Sequence, residues 1–360
     1  MVIHNDTFGI IAKYDDGGNR HWEDYFGGSS FDGFDKVQEL PGNEGYIVTG
    51  SFQSVDGDLG NFNWDYGRIR SAWIKYDING NREWLRDAAF YSPLSVEENG
   101  IVATFGSKSN HENAEPWHEL NIVKFDFNGN VTKKNNINDD LAFAEEGKPT
   151  FLTSIGFNVL VKTPDGYILI GKESYTYGYQ STGPGPGLHG RGGPNLQVFI
   201  DKDFSFIKQE YSNVSGVHKY IHLDDGFIGI FNSRLTVAKF DYDMNELWSL
   251  NLEYPDNQNP DSRSNARPTF TDMIRIDSKL YIVGYAYHQR NPLMVITDLE
   301  GSLIYESGIL PAKGWMHFYS DIYPYEEGYL IRSRYYHYRN GGGIGLDYTE
   351  EWLYYPGLLS

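Results

Sequence analysis

Ser71-Ala-Trp-Ile-Lys-Tyr-Asp77-Ile-Asn-Gly80-Asn81-Arg-Glu-Trp84-Leu-Arg86 is a short apolar run, an Asp-x-x-Gly-Asn turn and a second run that includes a tryptophan. The same sentence stands at 10–22, with Asp15, Gly18, Asn19 and Trp22. It returns at 120–133 (Asp126, Gly129, Asn130), 196–208 (Asp201), 235–248 (Asp241, Asn245, Trp248) and 293–305 (Asp298, Gly301, Tyr305). A worn copy lies at 344–354. Gly and Asn accept positive φ, and the Asp side chain can cap the turn's backbone amides, so each copy reads as a tight hairpin. The tryptophan is expected to pack against the neighbouring unit.

A second hairpin accompanies each copy. Gly45-Tyr-Ile-Val-Thr-Gly50 is the clearest strand of it. Its relatives begin at Gly166, Gly226, Leu280 and Gly328, with a degenerate copy at 95–106. Each unit is therefore four short strands, A to D, with tight A–B and C–D turns. From Tyr46 to Tyr329 the period averages about 57 residues, and radially repeated four-stranded sheets of that length make a β-propeller. The expectation is one all-β domain over 1–360, six blades preferred and seven the alternative. Residues 10–23 form a C–D hairpin with no A–B hairpin before it. This suggests that the ring closes by pairing the N- and C-terminal hairpins, with 343–360 as a tail or worn half-blade. Closure of that kind removes sheet edges.

The combination of Asp-x-x-Gly-Asn-x-x-Trp with (Asp)-Gly-Tyr-Ile-(Val/Leu)-x-Gly resembles the repeats of bacterial propeller proteins, many of them secreted or surface-attached. More loosely it is similar to the Asp-x-x-Thr-Gly-x-x-x-Trp repeats of quinoprotein-like propellers and to the Asp box of sialidases. The quinoprotein spacing is one residue longer, and the sialidase Ser-x-Asp-x-Gly is not present. The resemblance implies a scaffold and carries over no catalytic residue.

Composition narrows the function classes. The chain has 28 Tyr, 21 Phe, 8 Trp and 40 Gly, which suits a turn-rich β protein, and no Cys. Thiol catalysis, thiolate metal sites and disulfides are thereby excluded. A net charge of −19 argues against nucleic acid and anionic membrane surfaces and permits a basic protein partner. No apolar run reaches the roughly 20 residues of a membrane span. The Met-Val-Ile-His-Asn-Asp start has no signal-peptide pattern. An extracellular or cell-surface location is the favoured expectation, with the cytoplasm left open.

Loop length is uneven. The A–B and C–D turns are short, whereas the B–C connections (52–70, 108–119, 174–195, 287–292) and D–A connections (135–154, 253–268, 307–318) are mostly long. Both kinds emerge on one face of a propeller, and function concentrates in loops on a rigid scaffold. Rings with polar tips suit a sugar or another cell-surface ligand. The candidate ligand contacts are Trp64, Tyr66 and Arg68; Trp117 and His118; His189 and Arg191 in a Gly/Pro-rich flap or linker; Tyr287, His288 and Arg290; Trp315 and His317; and Tyr336 and His337. Asp56, Asp58 and Asp65 supply oxygen ligands of the kind Ca²⁺ takes, without EF-hand spacing; no other cofactor is expected. Near the start of strand A fall Asp35, Asn158, His218, Asp272 and Asp321. A ring of carboxylates there would serve a glycan-active hydrolase or lyase as acid and base, or would simply solvate an axial channel. A carbohydrate-binding module, a scaffold for a basic partner and a glycan-active enzyme are the three readings.

Overall fold

The computed structural model describes residues 2–5, 8–15, 19–30, 32–60, 70–88, 94–105, 108–109, 120–142, 151–179, 187–212, 216–231, 235–252, 269–286, 291–307, 316–325, 328–338 and 346–356. The chain is an all-β propeller of antiparallel blades. Helix is confined to two 3-10 turns among these residues, Pro41–Asn43 and Gly57–Leu59, and no described helix is long and apolar enough to cross a membrane.

The chain forms two compact units, Met1–Asn213 and Val214–Ser360. In the first, β1 (Val2–Asn5), β2 (Gly9–Tyr14) and β3 (Arg20–Phe26) make a three-stranded sheet. Strands β4 (Asp32–Glu39), β5 (Tyr46–Phe52), β6 (Arg70–Tyr76) and β7 (Arg82–Ala88) make the next. The third comprises β8 (Leu94–Glu97), β9 (Gly100–Phe105), β11 (Asn121–Phe125) and β12 (Val131–Asn136). Between β9 and β11 in the chain, β10 (Lys108–Ser109) joins the inner edge of the fourth sheet. That sheet continues with β13 (Phe151–Lys162), β14 (Gly166–Tyr179), β15 (Gly187–Asp201) and β16 (Phe206–Ser212).

The second unit holds β17 (Val217–Leu223), β18 (Gly226–Phe231), β19 (Thr236–Phe240) and β20 (Glu246–Asn251), then β21 (Thr269–Ile276), β22 (Lys279–Ala286), β23 (Asn291–Asp298) and β24 (Leu303–Glu306). Its last sheet is β25 (Met316–Tyr325), β26 (Gly328–Tyr338) and β27 (Leu346–Pro356). The stretch expected to be a tail or worn copy is thus a full strand, paired with β26 from Gly328↔Pro356 to Tyr338↔Leu346. The hairpin β2–β3 likewise takes β1 as its neighbour. The fold is the six-bladed antiparallel propeller preferred from the repeat.

Alternation of side chains along a strand builds the core. In β6, Ala72, Ile74 and Tyr76 pack with Ile11 and Phe26 of the preceding sheet. Trp73, between them, packs with Ile101 and Val123 of the following one. In the second unit Leu280 and Ile282 of β22 join Ile228 and Val237, while Tyr281 and Val283 join Tyr319 and Ile331. Strands β6 and β22 are therefore apolar on both faces, each face serving a different neighbour.

The quoted turn does two jobs. Asp77 Oδ1 accepts the Asn79 and Asn81 amides at 2.9 and 2.8 Å, and Gly80 takes φ +88°. The tryptophan of the previous sheet then lies on that glycine. Trp22 donates to the Ile78 carbonyl at 3.1 Å, and a Cβ on Gly80 would come within 2.4 Å of its ring. Trp84 repeats this on Phe127 and Gly129, and Trp248 on Leu299 and Gly301. Where Lys133 replaces the tryptophan, it reaches the equivalent carbonyl of Lys202 at 3.0 Å. There the glycine position is Phe204, whose ring Lys133 covers at 5.1 Å. Bulk has moved from one side of the latch to the other: ring on glycine in three copies, cation on ring in the fourth.

Candidate functional site

The loop-bearing ends of the blades are built in two ways, by side-chain ties and by extended strands. The ties sit in the first unit. Asp32, 1% exposed, accepts the amides of Gly28 (2.7 Å), Gln53 (2.9 Å) and Ser54 (3.1 Å) and the Ser54 hydroxyl. Asp56 Oδ1 accepts the Ser29 amide at 2.7 Å, which holds its carboxyl below the usual range. Asp58 pairs with Arg82 at 2.6 Å and accepts the Gly27 amide at 3.1 Å. Arg82 also bonds Asp24, which takes the Tyr76 hydroxyl at 2.9 Å. Two of the three candidate calcium ligands, Asp56 and Asp58, thus fasten segment 53–60 to segment 27–30. Among the described residues no three His, Asp or Glu side chains converge as a metal set would. Asp65 lies outside the described residues, as do Trp64, Tyr66, Arg68, Trp117, His118, Tyr287, His288, Arg290 and Trp315.

The extended strands carry most of the remaining candidates. From Gly187 on, the Gly/Pro-rich stretch read as a flap or linker is a strand of a β-ribbon, β14 and β15 staying paired out to Tyr179↔Gly187, and residues 180–186 of it lie outside the described residues. His189 stands in register with Tyr177, and Arg191 with Tyr175. β13 accompanies them as far as Phe151↔Tyr177. Pro194, which cannot donate to a ladder, falls where the register shifts between Lys172 and Ser174. In the second unit β25–β27 extend similarly. His317 pairs with Tyr335, Tyr336 with both Met316 and Tyr348, and His337 with Asp347.

The inner strands revise the proposed carboxylate ring. β4, β13, β17, β21 and β25 each carry a β-bulge at one place, leaving one residue unopposed: Asp35, Asn158, His218, Thr271 and Ser320. The residue before it is always apolar and buried: Phe34, Phe157, Val217, Phe270 or Tyr319. Opposite stands the second glycine of the sequence motif in three cases. A Cβ at Gly50, Gly171 or Gly284 would come within 2.6, 2.1 or 2.3 Å of the bulged strand's backbone, so the motif glycine marks the bulge. Asp272 and Asp321 are one residue beyond it, equivalent to Lys36 and Lys219 rather than to Asp35 and His218. The five residues expected as one ring therefore fall on two registers.

In the second unit these groups bond from strand to strand. Lys219 pairs with Asp272, and Asp272 Oδ2 accepts the Ile322 amide at 3.1 Å. Thr271 donates to the Tyr319 carbonyl at 2.7 Å, and His218 Nε2 lies 3.4 Å from the Thr271 carbonyl. Asp321 accepts Arg332 Nε at 2.7 Å. Asp35, in the first unit, differs: it is exposed and accepts the Ser51 hydroxyl of its own sheet at 2.8 Å. Crowding by surrounding protein pushes its carboxyl up against the pull of Ser51 and Lys36, and pushes the Lys36 ammonium down. Asp35 is thus an exposed carboxylate at the bulge of an inner strand, with its pKa above the ordinary value.

At the opposite, short-turn ends of β4 and β8 lies a shallow cleft of about 600 Å³ between Leu40–Asn43 and Val96–Glu98. Its Glu97 is a strut. Burial works to raise its pKa, but Lys124 at 2.8 Å, the Tyr167 hydroxyl and Lys162 at 3.4 Å outweigh burial and hold it below the ordinary 4.5. The sign follows: a depressed carboxylate contributes stability above its unfolded pKa and loses it as pH falls through the folded one. We expect acid unfolding of Glu97→Gln to show a shallower dependence below about pH 4.5, by up to ~1.4 kcal/mol per pH unit for one proton. Identical pH profiles by circular dichroism would remove Glu97 from the acid response.

No family model matches the chain, and no curated protein matches it. Solved structures do. A protein of unknown function from Bacteroides caccae is 12% identical, over 81% of this chain and 86% of its own, with a TM-score of 0.42. A 6-phosphogluconolactonase-like protein from Bacteroides fragilis is 10% identical over 88% and 83%, with a TM-score of 0.44. The WD40 domain of SCAP from fission yeast is 9% identical over 89% and 74%, with a TM-score of 0.36. At these values the likenesses carry no activity across, and the fold rests on the chain's own sheets.

Proposed function

We propose that the chain is a ligand-binding propeller whose loop-bearing blade ends recognise a carbohydrate or cell-surface ligand outside the cell. The observation that supports this is the pairing of the candidate contacts into ribbons. Tyr175, Tyr177, His189 and Arg191 sit on β14 and β15 at fixed register, as do Tyr335, Tyr336 and His337 on β26. Backbone pairing lowers the ordering cost of binding, and rings with polar tips are what a sugar face requires. The test is a glycan array probed with the full chain, followed by titration calorimetry on retained saccharides. Binding weakened roughly tenfold by Arg191→Ala is expected; retention of no saccharide ends this reading. A scaffold for a basic protein is the second reading, favoured by the net charge of −19.

A further inference from the structure

The outer strands of the first unit carry charge along their length: Glu23 and Asp24 in β3, Arg82, Glu83 and Arg86 in β7, Lys133 and Lys134 in β12, Lys208 and Glu210 in β16. Such charges blunt a sheet edge against pairing with another chain. In the second unit β24 breaks the pattern. Leu303, Ile304 and Tyr305 are 45%, 50% and 42% exposed in succession. Ile304 is the unopposed residue of a β-bulge, between the pairs Thr297↔Leu303 and Ile296↔Tyr305, and all three side chains of the trio are exposed. Exposed apolar residues on other outer strands, such as Val131, Ile207 and Leu247, stand singly, which is ordinary.

Two further observations bear on β24. Among the described residues it pairs with β23 and has no neighbour on its other edge. Tyr305 also occupies the latch position of Trp22, Trp84 and Trp248, yet it is exposed where they are half-buried. Charge selects the occupant. Glu300 and Glu306 flank the apolar trio, and the whole chain carries −19. A second copy brings the same −19 and is repelled, whereas an extended segment with apolar residues between lysines or arginines is attracted.

We infer that the outer edge of β24 docks a short, basic, extended segment of a partner protein by strand addition. The edge is four residues long and bulged at Ile304, so the register is brief and the side chains of Leu303, Ile304 and Tyr305 supply the apolar contact. This docking is independent of the carbohydrate reading, and either can fail alone.

The probe is a synthetic nonapeptide, Lys-Lys-Thr-Ile-Val-Ile-Thr-Lys-Lys, titrated into the full chain by fluorescence anisotropy. Saturable binding is expected. It weakens roughly tenfold or more when alternate peptide amides are N-methylated and in the Ile304→Lys variant. It is retained in Ile207→Lys, an equal change of charge on an exposed outer-strand residue. Both positions are exposed, and circular dichroism checks that both variants fold. Absence of saturable binding overturns the inference. So does equal binding of the N-methylated peptide, or equal weakening in the two variants, either of which reduces the effect to general charge attraction. Concentration-dependent dimerisation in sedimentation velocity that Ile304→Lys abolishes would assign the edge to a second copy instead, and also overturns it.

Discussion

Asp32→Ala is expected to cost about 3–5 kcal/mol of stability, in the range where a single substitution removes a buried network. The carboxylate is 1% exposed and accepts four hydrogen bonds. Three of the donors are backbone amides, of Gly28, Gln53 and Ser54, and alanine offers them nothing. Each buried amide left unpaired costs roughly 1–3 kcal/mol, less where water can enter. Gly28 and Gln53 belong to different connections of the sheet. Losing Asp32 therefore also releases the Asp56–Ser29 and Asp58–Gly27 ties from the segment they fasten. Asp32→Asn keeps one acceptor oxygen and should fall between wild type and alanine. Urea unfolding followed by tryptophan fluorescence measures both, and a loss below about 1 kcal/mol for alanine would mean that water replaces the carboxylate at little cost.

Asp32 also marks how far the sequence could be read. The fold was legible because its signals are local and repeated. An aspartate bonding amides two and four residues on, a glycine at positive φ and a ring seven residues after the aspartate all lie inside a single window. The same window contained the inter-sheet latch, down to the exchange of Trp and Gly for Lys133 and Phe204, although that pairing joins residues about 70 apart and needed the structure to be recognised. Asp32 itself passed unnoticed, because nothing in Asp-Gly-Phe-Asp distinguishes a carboxylate that collects amides from one that faces water.

What the structure adds to the sequence has physical causes. A bulge inserts one residue without a composition of its own, so counting from strand starts put Asp272 and Asp321 level with Asp35. Its trace was the second glycine of Gly-Tyr-Ile-Val-x-Gly, where the bulged backbone leaves no room for a Cβ. The ribbon β14–β15 was hidden for another reason. Gly and Pro lower strand propensity, and the pairing of Tyr175–Tyr179 with 187–191 comes from continuing an established ladder rather than from the residues themselves. Asp56 and Asp58, the spaced aspartates that suggest calcium, also engage Ser29 and Arg82, partners too distant in sequence to be inferred.

Asp272, which the sequence offers as an acid or base or as part of a solvated channel, also ties strands together and supplies the second large effect. It is 4% exposed. One oxygen meets Lys219 of β17 and the amide of Met273, while the other meets the amide of Ile322 in β25. A single side chain thus joins three inner strands of the second unit. Asp272→Ala is expected to cost about 3 kcal/mol, since removing one partner of a buried pair strands both a charge and an amide. Lys219 is 38% exposed at its side chain and can turn to water. Lys219→Met should therefore cost less than Asp272→Ala, with Asp272→Asn between them because the amide can still accept from Ile322. A catalytic acid or base predicts no such order of losses. Its removal would leave the unfolding midpoint in place, since active-site carboxylates are held at a cost to stability rather than for it. Unfolding midpoints of the three variants decide between these roles without any knowledge of the ligand: an unchanged midpoint in Asp272→Ala would keep this carboxylate among the catalytic candidates, and the ordered loss would assign it to holding β17, β21 and β25 together.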